Sequence, residues 1–392
     1  MARKYRYHKP RHTFCYHLIR PAFKLVAGSN AKVTYGKLEN PNRPYLIMFN
    51  HQTGHDQFYI YGLVPRTTYF VASEDLLAKG LLSRFLTFVC GIVPIRKNAT
   101  DAHTVKMCYK IAQDGYSVAL SPEGNRTFYG RTMHSNPAIA KFIKLLKLPL
   151  LFVHIDGGYG VEPRWSNKPR YGKIHVSVRK VVEPEEYKDM PIDQLYQLVK
   201  DNIYVDESAD GRVYKDIPTS AEYLERVLYR CPKCGHVATM ESHGRKFGCF
   251  HCGFETQYLP NKFFSDTSPF KTVADWWQWQ NTMMSTVDIN SNEMVASNIV
   301  RVDKVEFPNK KNIAKKCTLK LFANKLVAGD TTYHFDDIRT LSICGRNKLY
   351  MYLDDKTIQF KGDKRLRAVM YLNYFYHYKN VKEGKDDDFL GI

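Results

Sequence analysis

The stretch Asn50–Asp56, NHQTGHD, gathers two imidazoles and a carboxylate into one short segment. An imidazole can accept a proton near neutral pH, and an acid on its other ring nitrogen fixes its tautomer. Three arrangements are open at this point: a dyad of His51 and Asp56, a metal site on His51, His55 and Asp56, or a polar turn. In a regular helix His51 and His55 share a face, whereas His51 and Asp56 diverge by about 140°. The dyad therefore needs a tight strand-to-helix connection, which Thr53 and Gly54 favour.

Two more stretches carry chemistry. SPEGNRT, from Ser121 to Thr127, offers Glu123, Gly124 and Arg126 after a buried strand. Arg126 can hold a phosphate through paired donors, and Glu123 can accept from a neighbouring hydroxyl. GIVPIRKN adds Arg96 and Lys97 at another strand end. A base, carboxylates and cations together describe a site for a phosphorylated alcohol. Farther along, CPKCG and CFHCG place Cys231, Cys234, Cys249 and Cys252 as two CxxC pairs with fourteen residues between them. Two such knuckles complete a closed four-thiolate tetrahedron, for which Zn²⁺ is the usual ion and the role structural. His236 and His251 lie nearby and are surplus to that set.

The elements that must position these groups follow from periodicity. RPYLIMFN, TTYFVAS, GIVPI, YSVAL, LPLLFVHIDG and KIHVSVRKVV read as strands. EDLLAKGLLSRFLTFV, TDAHTVKMCYKIAQDG and NPAIAKFIKLLK read as helices, with another from Ile192 to Ile203. Such alternation predicts an α/β layer fold, with functional groups in the loops after strands. Composition shifts at VDESADGR, and beyond the cysteines come the helix VADWWQWQ, a run of β-like segments and a closing amphipathic helix, KRLRAVMYLNYFYHYKN. Trp276, Trp277 and Trp279 suit either a membrane interface or buried packing.

Among 392 residues, 58 Lys and Arg against 39 Asp and Glu give a formal charge of +19. That balance points to anionic partners: a membrane surface, nucleic acid or phosphorylated substrates. No apolar run approaches the ~18 residues of a membrane-spanning helix, and the N-terminus lacks a signal-peptide pattern. Basic and aromatic residues interleave there instead, which suits an amphipathic membrane segment, or a packed helix with a frayed basic lead. Nine cysteines without a secretion signal point to reduced thiols.

Taken together, NHQTGHD, GIVPIRKN, SPEGNRT and LPLLFVHIDGG resemble, in order and spacing, the four blocks of the glycerolipid acyltransferases, especially the lysophosphatidate acyltransferases. The resemblance covers roughly residues 15–205. It implies an acyltransferase-type α/β layer domain in which His51 is the base and Asp56 its partner. Asn50, Glu123, Gly124 and Arg126 would then line the acceptor's glycerol phosphate, and Pro149 matches the proline of the fourth block. In the second block the family's usual Asp-Arg is Arg96-Lys97, either of which would take the phosphate. The implied substrates are a lysophospholipid acceptor and an acyl thioester donor, carried by coenzyme A (acyl-CoA) or by acyl carrier protein (acyl-ACP). The implied setting is the cytoplasmic face of an anionic membrane, held peripherally, with nucleic acid not expected as a partner.

The cysteine module resembles a zinc ribbon, and the β-rich tail with its closing helix resembles PH-like or GRAM-like domains. The expected organisation is a basic amphipathic segment over 1–30, the acyltransferase domain over 31–205 and a linker over 206–228. A zinc ribbon over 229–258, a Trp-rich connecting helix over 259–290 and a PH-like domain over 291–392 follow. The competing expectation is a noncatalytic basic protein that binds lipid or nucleic acid through the ribbon and tail.

Overall fold

A computed structural model describes residues 7–73, 88–89, 91–95, 102–306 and 309–385. The chain forms two compact units, one of 1–127, 131–162 and 171–207, the other of 128–130, 163–170 and 208–392.

The first unit is built on a seven-stranded sheet of β1 (Ala31–Tyr35), β2 (Leu46–Phe49), β3 (Thr68–Ser73), β4 (Val93–Ile95), β5 (Ser117–Leu120), β6 (Leu150–Asp156) and β7 (Gly172–Val182). Their order is β1-β7-β6-β2-β5-β3-β4, parallel throughout except where β7 runs antiparallel to β6. The helices are α1 (Pro10–Gly28), α2 (Asp56–Leu63), α3 (Ala102–Gln113), α4 (Ala138–Leu146), α5 (Gly158–Val161), α6 (Pro184–Tyr187) and α7 (Ile192–Ile203). Central strands covered on both faces need continuous apolar runs. β2, LIMF, is buried at every position, and β6 at every position but its last. Leu46, Met48, Val118, Leu150 and Phe152 share one core with Ile139 and Ile143 of α4 and Leu195 and Val199 of α7.

All the strands read from the sequence here are present, and β1 is added to them. β1 is an edge strand whose buried and outward residues alternate. The segment read as a helix over 74–89 lies outside the described residues save Phe88 and Val89.

The N-terminal segment is a helix with two different faces. Tyr16 is buried, its hydroxyl donating to the Val64 carbonyl at 2.7 Å, and Arg20 donates to the carbonyls of Tyr61 and Gly62 at the end of α2. Phe14, Leu18 and Leu25 stand on the other face, 69%, 65% and 77% exposed. α1 is therefore packed and amphipathic at once.

In the second unit, β8 (Met240–His243), β9 (Lys246–Cys249) and β10 (Glu255–Gln257) make a small antiparallel sheet. A second seven-stranded sheet is formed by β11 (Ala296–Glu306), β12 (Asn309–Leu321), β13 (Lys325–Ala328), β14 (Thr331–His334), β15 (Thr340–Cys344), β16 (Lys348–Tyr352) and β17 (Thr357–Lys361). Its order, β14-β13-β12-β11-β17-β16-β15, is antiparallel throughout: a four-strand and a three-strand meander joined where β17 pairs with β11. The closing helix α9 (Ala368–Glu383) was expected to be amphipathic but is buried on nearly every side until Tyr378. Its tyrosines find partners inside: Tyr371 donates to Asn298, Tyr376 to the Leu341 carbonyl and Tyr378 to Asp336.

Of the stretch expected as a linker over 206–228, residues 209–219 are mostly exposed apart from Tyr214, whereas 220–228 is largely buried, Ala221, Leu224 and Glu225 included. In α8 (Val273–Thr282), Trp276 and Trp277 are buried, Trp276 among Phe247, Phe254, Phe264 and Phe270. These two rings pack inside the unit.

Candidate active site and metal centre

Three loops at the carboxyl ends of neighbouring strands meet in the first unit. β2 ends in Asn50-His51, β5 in the SPEGNRT loop, and β6 in the turn that opens α5. NHQTGHD is not helical through its middle: the chain turns over 52–55 and α2 begins at Asp56. That turn brings together what a regular helix would hold apart. His51 Nδ1 lies 2.6 Å from Asp56 Oδ2. Asp56 is fully buried and is also held by the N–H groups of Gln52 and Thr53 and by the Thr53 hydroxyl. The His51 side chain is 27% exposed. The result is an imidazole with one nitrogen anchored on a fixed carboxylate and the ring reachable from solvent, the geometry of an oriented base.

His55 faces a different carboxylate. Its Nδ1 lies 2.9 Å from Glu162 Oε2, a contact that raises its pKa. The two imidazoles of the motif thus serve separate acids. Among the described residues, the ligand groups close enough to share an ion lie in the cysteine module and not at this turn.

Glu123 lies against the backbone of His51. It is buried, its two oxygens accepting from the backbone N–H groups of His51 and Met133, each at 2.7 Å. Burial pushes its pKa up to about 8. In this arrangement its carboxylate braces the loop that carries His51. Asn50 is likewise turned inward, its amide exchanging two hydrogen bonds with the backbone of Ile155 and tying β2 to β6. Gly124 is exposed at φ +65°, a left-handed turn that glycine takes without strain. Arg126, 15% exposed, donates to Glu162 Oε1 at 2.9 Å. Arg96 and Lys97 lie outside the described residues.

Sequence reasoning missed Glu162 and Gln52. Glu162 clamps Arg126 and His55 with its two oxygens and accepts weakly from Gly54 N–H. Its distance along the chain hid it. Gln52 is 1% exposed, and neither end of its amide has a hydrogen-bond partner among the described residues. It sits against Gly158, where a Cβ would come within 2.7 Å of the Gln52 Cβ.

In the second unit the four cysteines converge. Cys231 and Cys252 sulfurs are 3.6 Å apart, Cys234 and Cys249 sulfurs 3.8 Å. A tetrahedral zinc with Zn–S bonds of about 2.3 Å sets its sulfurs about 3.8 Å apart, so the thiols fit that ion. Both knuckles are built alike: Gly235 N–H bonds back to the Cys231 carbonyl and Gly253 N–H to the Cys249 carbonyl, each at 3.0 Å. Both glycines are left-handed, at φ +74° and +69°.

Comparison with known proteins gives this geometry a context. Residues 32–155 match the Acyltransferase family model. Among solved structures, the 1-acyl-sn-glycerophosphate (LPA) acyltransferase PlsC from Thermotoga maritima is 21% identical, with 48% of this chain and 75% of that one covered and a TM-score of 0.39. The N-terminal PH domain of human ARAP2 is 12% identical over 25% of this chain and 91% of that one, with a TM-score of 0.20. No curated protein matches the chain.

Proposed function

We propose that residues 31–205 form an acyltransferase domain that moves a fatty acyl group from a thioester to the free hydroxyl of a lysophospholipid, with lysophosphatidate to phosphatidate as the reaction. The observation that carries this reading is the His51–Asp56 pair at the end of a parallel strand, within the stretch that matches the Acyltransferase family. His51 Nε2 would take the hydroxyl proton as that oxygen attacks the thioester carbonyl. Asp56, on Nδ1, would hold the ring and stabilise the imidazolium. As the tetrahedral intermediate collapses, the C–S bond breaks and the leaving thiolate takes that proton back as a thiol. The donor is the thioester of coenzyme A or of acyl carrier protein.

In this reading Arg126, with Arg96 or Lys97, receives the acceptor's phosphate, while Glu123 and Asn50 position the base from behind. The cysteines hold a structural Zn²⁺ in a ribbon, and the seven strands with α9 form a PH-like domain. Attachment to an anionic membrane at its cytoplasmic face is peripheral: no helix among the described residues is long and apolar enough to cross a membrane, and α1 offers an exposed apolar stripe beside cationic residues.

The test is acyl transfer from a labelled thioester to lysophosphatidate in anionic vesicles. His51→Ala is expected to lower the rate by about 10²–10⁴. Equal activity in variant and wild type would remove His51 as base. No product across several donors and acceptors would leave a noncatalytic binding protein.

A further inference from the structure

Each cysteine knuckle carries an imidazole that a four-thiolate site does not use. His236 stands two residues beyond Cys234 and His251 one before Cys252. Both are exposed, and their rings stack with centroids 3.7 Å apart and planes inclined by 26°. One donor atom from each lies, together with the Cys234 sulfur, within 4.8 Å of the others. His236 Nδ1 is 3.2 Å from the Cys234 carbonyl oxygen. Donation there leaves the lone pair of Nε2 available, and a metal-bound imidazole is usually fixed in this way through its other nitrogen.

Charge points the same way. Four thiolates outweigh the two positive charges of a divalent ion, so a filled Cys₄ centre is net negative and its sulfurs keep donor strength. Cys231 and Cys249 are buried, whereas Cys234 and Cys252 are partly exposed, and of these the Cys234 sulfur lies with the two imidazoles. Two ring nitrogens and a thiolate form a soft donor set suited to late first-row cations and poor for Ca²⁺ or Mg²⁺.

We propose that Cys234, His236 and His251 form a second metal site, joined to the Cys₄ ion through the shared Cys234 sulfur and taking a divalent cation such as Zn²⁺. Three protein donors leave a fourth position for water, so this ion exchanges while the first is locked in. The proposal rests on the zinc-ribbon reading above.

The experiment is a titration of the metal-free full chain with Zn²⁺, counting bound ions by native mass spectrometry. A parallel Co²⁺ titration follows the sulfur-to-metal charge-transfer bands. Wild type is expected to take two ions, the second more weakly. The His236→Ala/His251→Ala double variant should keep the first ion and its four-thiolate spectrum while losing at least tenfold in affinity for the second. One ion in wild type under excess metal would overturn the second site and leave the ribbon standing. A second ion that binds the double variant unchanged would also overturn it, as adventitious surface metal. Failure to bind any ion would remove the ribbon reading and this proposal with it.

Discussion

Glu162, a carboxylate that no motif announces, engages two cationic side chains of the first site. One oxygen holds Arg126, the other His55, so a single side chain at the C-terminus of α5 ties two motif loops together. Its hydrogen bond is the largest cause of the raised His55 pKa, ahead of burial, which acts the other way. A histidine whose folded pKa lies above its unfolded value contributes stability that is fully present below the unfolded pKa and lost as pH rises through the folded one. Glu162→Gln keeps the shape and removes the charge, so the His55 midpoint should fall, and this part of the pH dependence should shrink. Histidine NMR titration of wild type and variant reads the midpoint directly. An unmoved midpoint would mean that Glu162 does not set the charge on His55, and the clamp would reduce to packing.

At the scale of elements, the site depends on turns that hold neighbouring strand ends in register. Gly158, the first residue of α5, lies so close to the opening turn that an added Cβ would meet Gln52 Cβ at 2.7 Å and Thr53 Cγ2 at 3.0 Å. Neither neighbour is a freely moving chain end, so Gly158→Ala must displace the turn that carries His51 and Asp56. Overpacking of this kind costs about 1–3 kcal/mol, and a misplacement of about 1 Å at a base costs about 10²-fold in rate. Calorimetry and the acyl-transfer assay should register both losses in this variant, though it alters no group of proposed chemistry. Full activity would mean that α5 moves independently of the motif. The same element explains what the sequence revealed. The central strands of the first sheet were legible because buried parallel strands need unbroken apolar runs, while the alternating edge strand β1 was not. The pairing of His51 with Asp56 was one of three arrangements that spacing left open, and only the resemblance to the acyltransferase blocks singled it out. Glu162 was not legible, since 107 residues separate it from His55 and only the passage through β6 and α5 brings it back. Glu123 and Asn50 were legible as polar residues at the right place, but their direction was not. Chemistry invites a carboxylate to face substrate, while the buried N–H groups of His51 and Met133 claim it first. α9 misled in the opposite way: tyrosine, asparagine and histidine read as a polar face, yet several of these groups satisfy themselves inside the second unit.

For the whole chain, the proposed membrane attachment rests on two features, the net charge of +19 and the exposed stripe on α1. They differ in how salt affects them. Attraction of Lys and Arg to an anionic surface contributes about 1 kcal/mol per residue near it and is screened over about 10 Å at 0.1 M salt. Burial of Phe14, Leu18 and Leu25 in the acyl boundary depends on apolar area and is insensitive to salt in this range. Co-sedimentation with vesicles therefore separates the two. Binding to anionic vesicles should fall at least tenfold between 50 and 500 mM salt, roughly the loss expected when several cations lose their counter-charge. A weaker residual binding should persist at high salt and on neutral vesicles. Leu18→Glu/Leu25→Glu should abolish that residue without unfolding the helix, because both positions face outward while Tyr16 and Arg20 keep α1 docked on α2. If wild-type binding ignores salt, the positive charge serves some partner other than the membrane. If the double variant binds neutral vesicles as well as wild type does, the stripe on α1 is not the lipid contact, and the acceptor must reach His51 by another route.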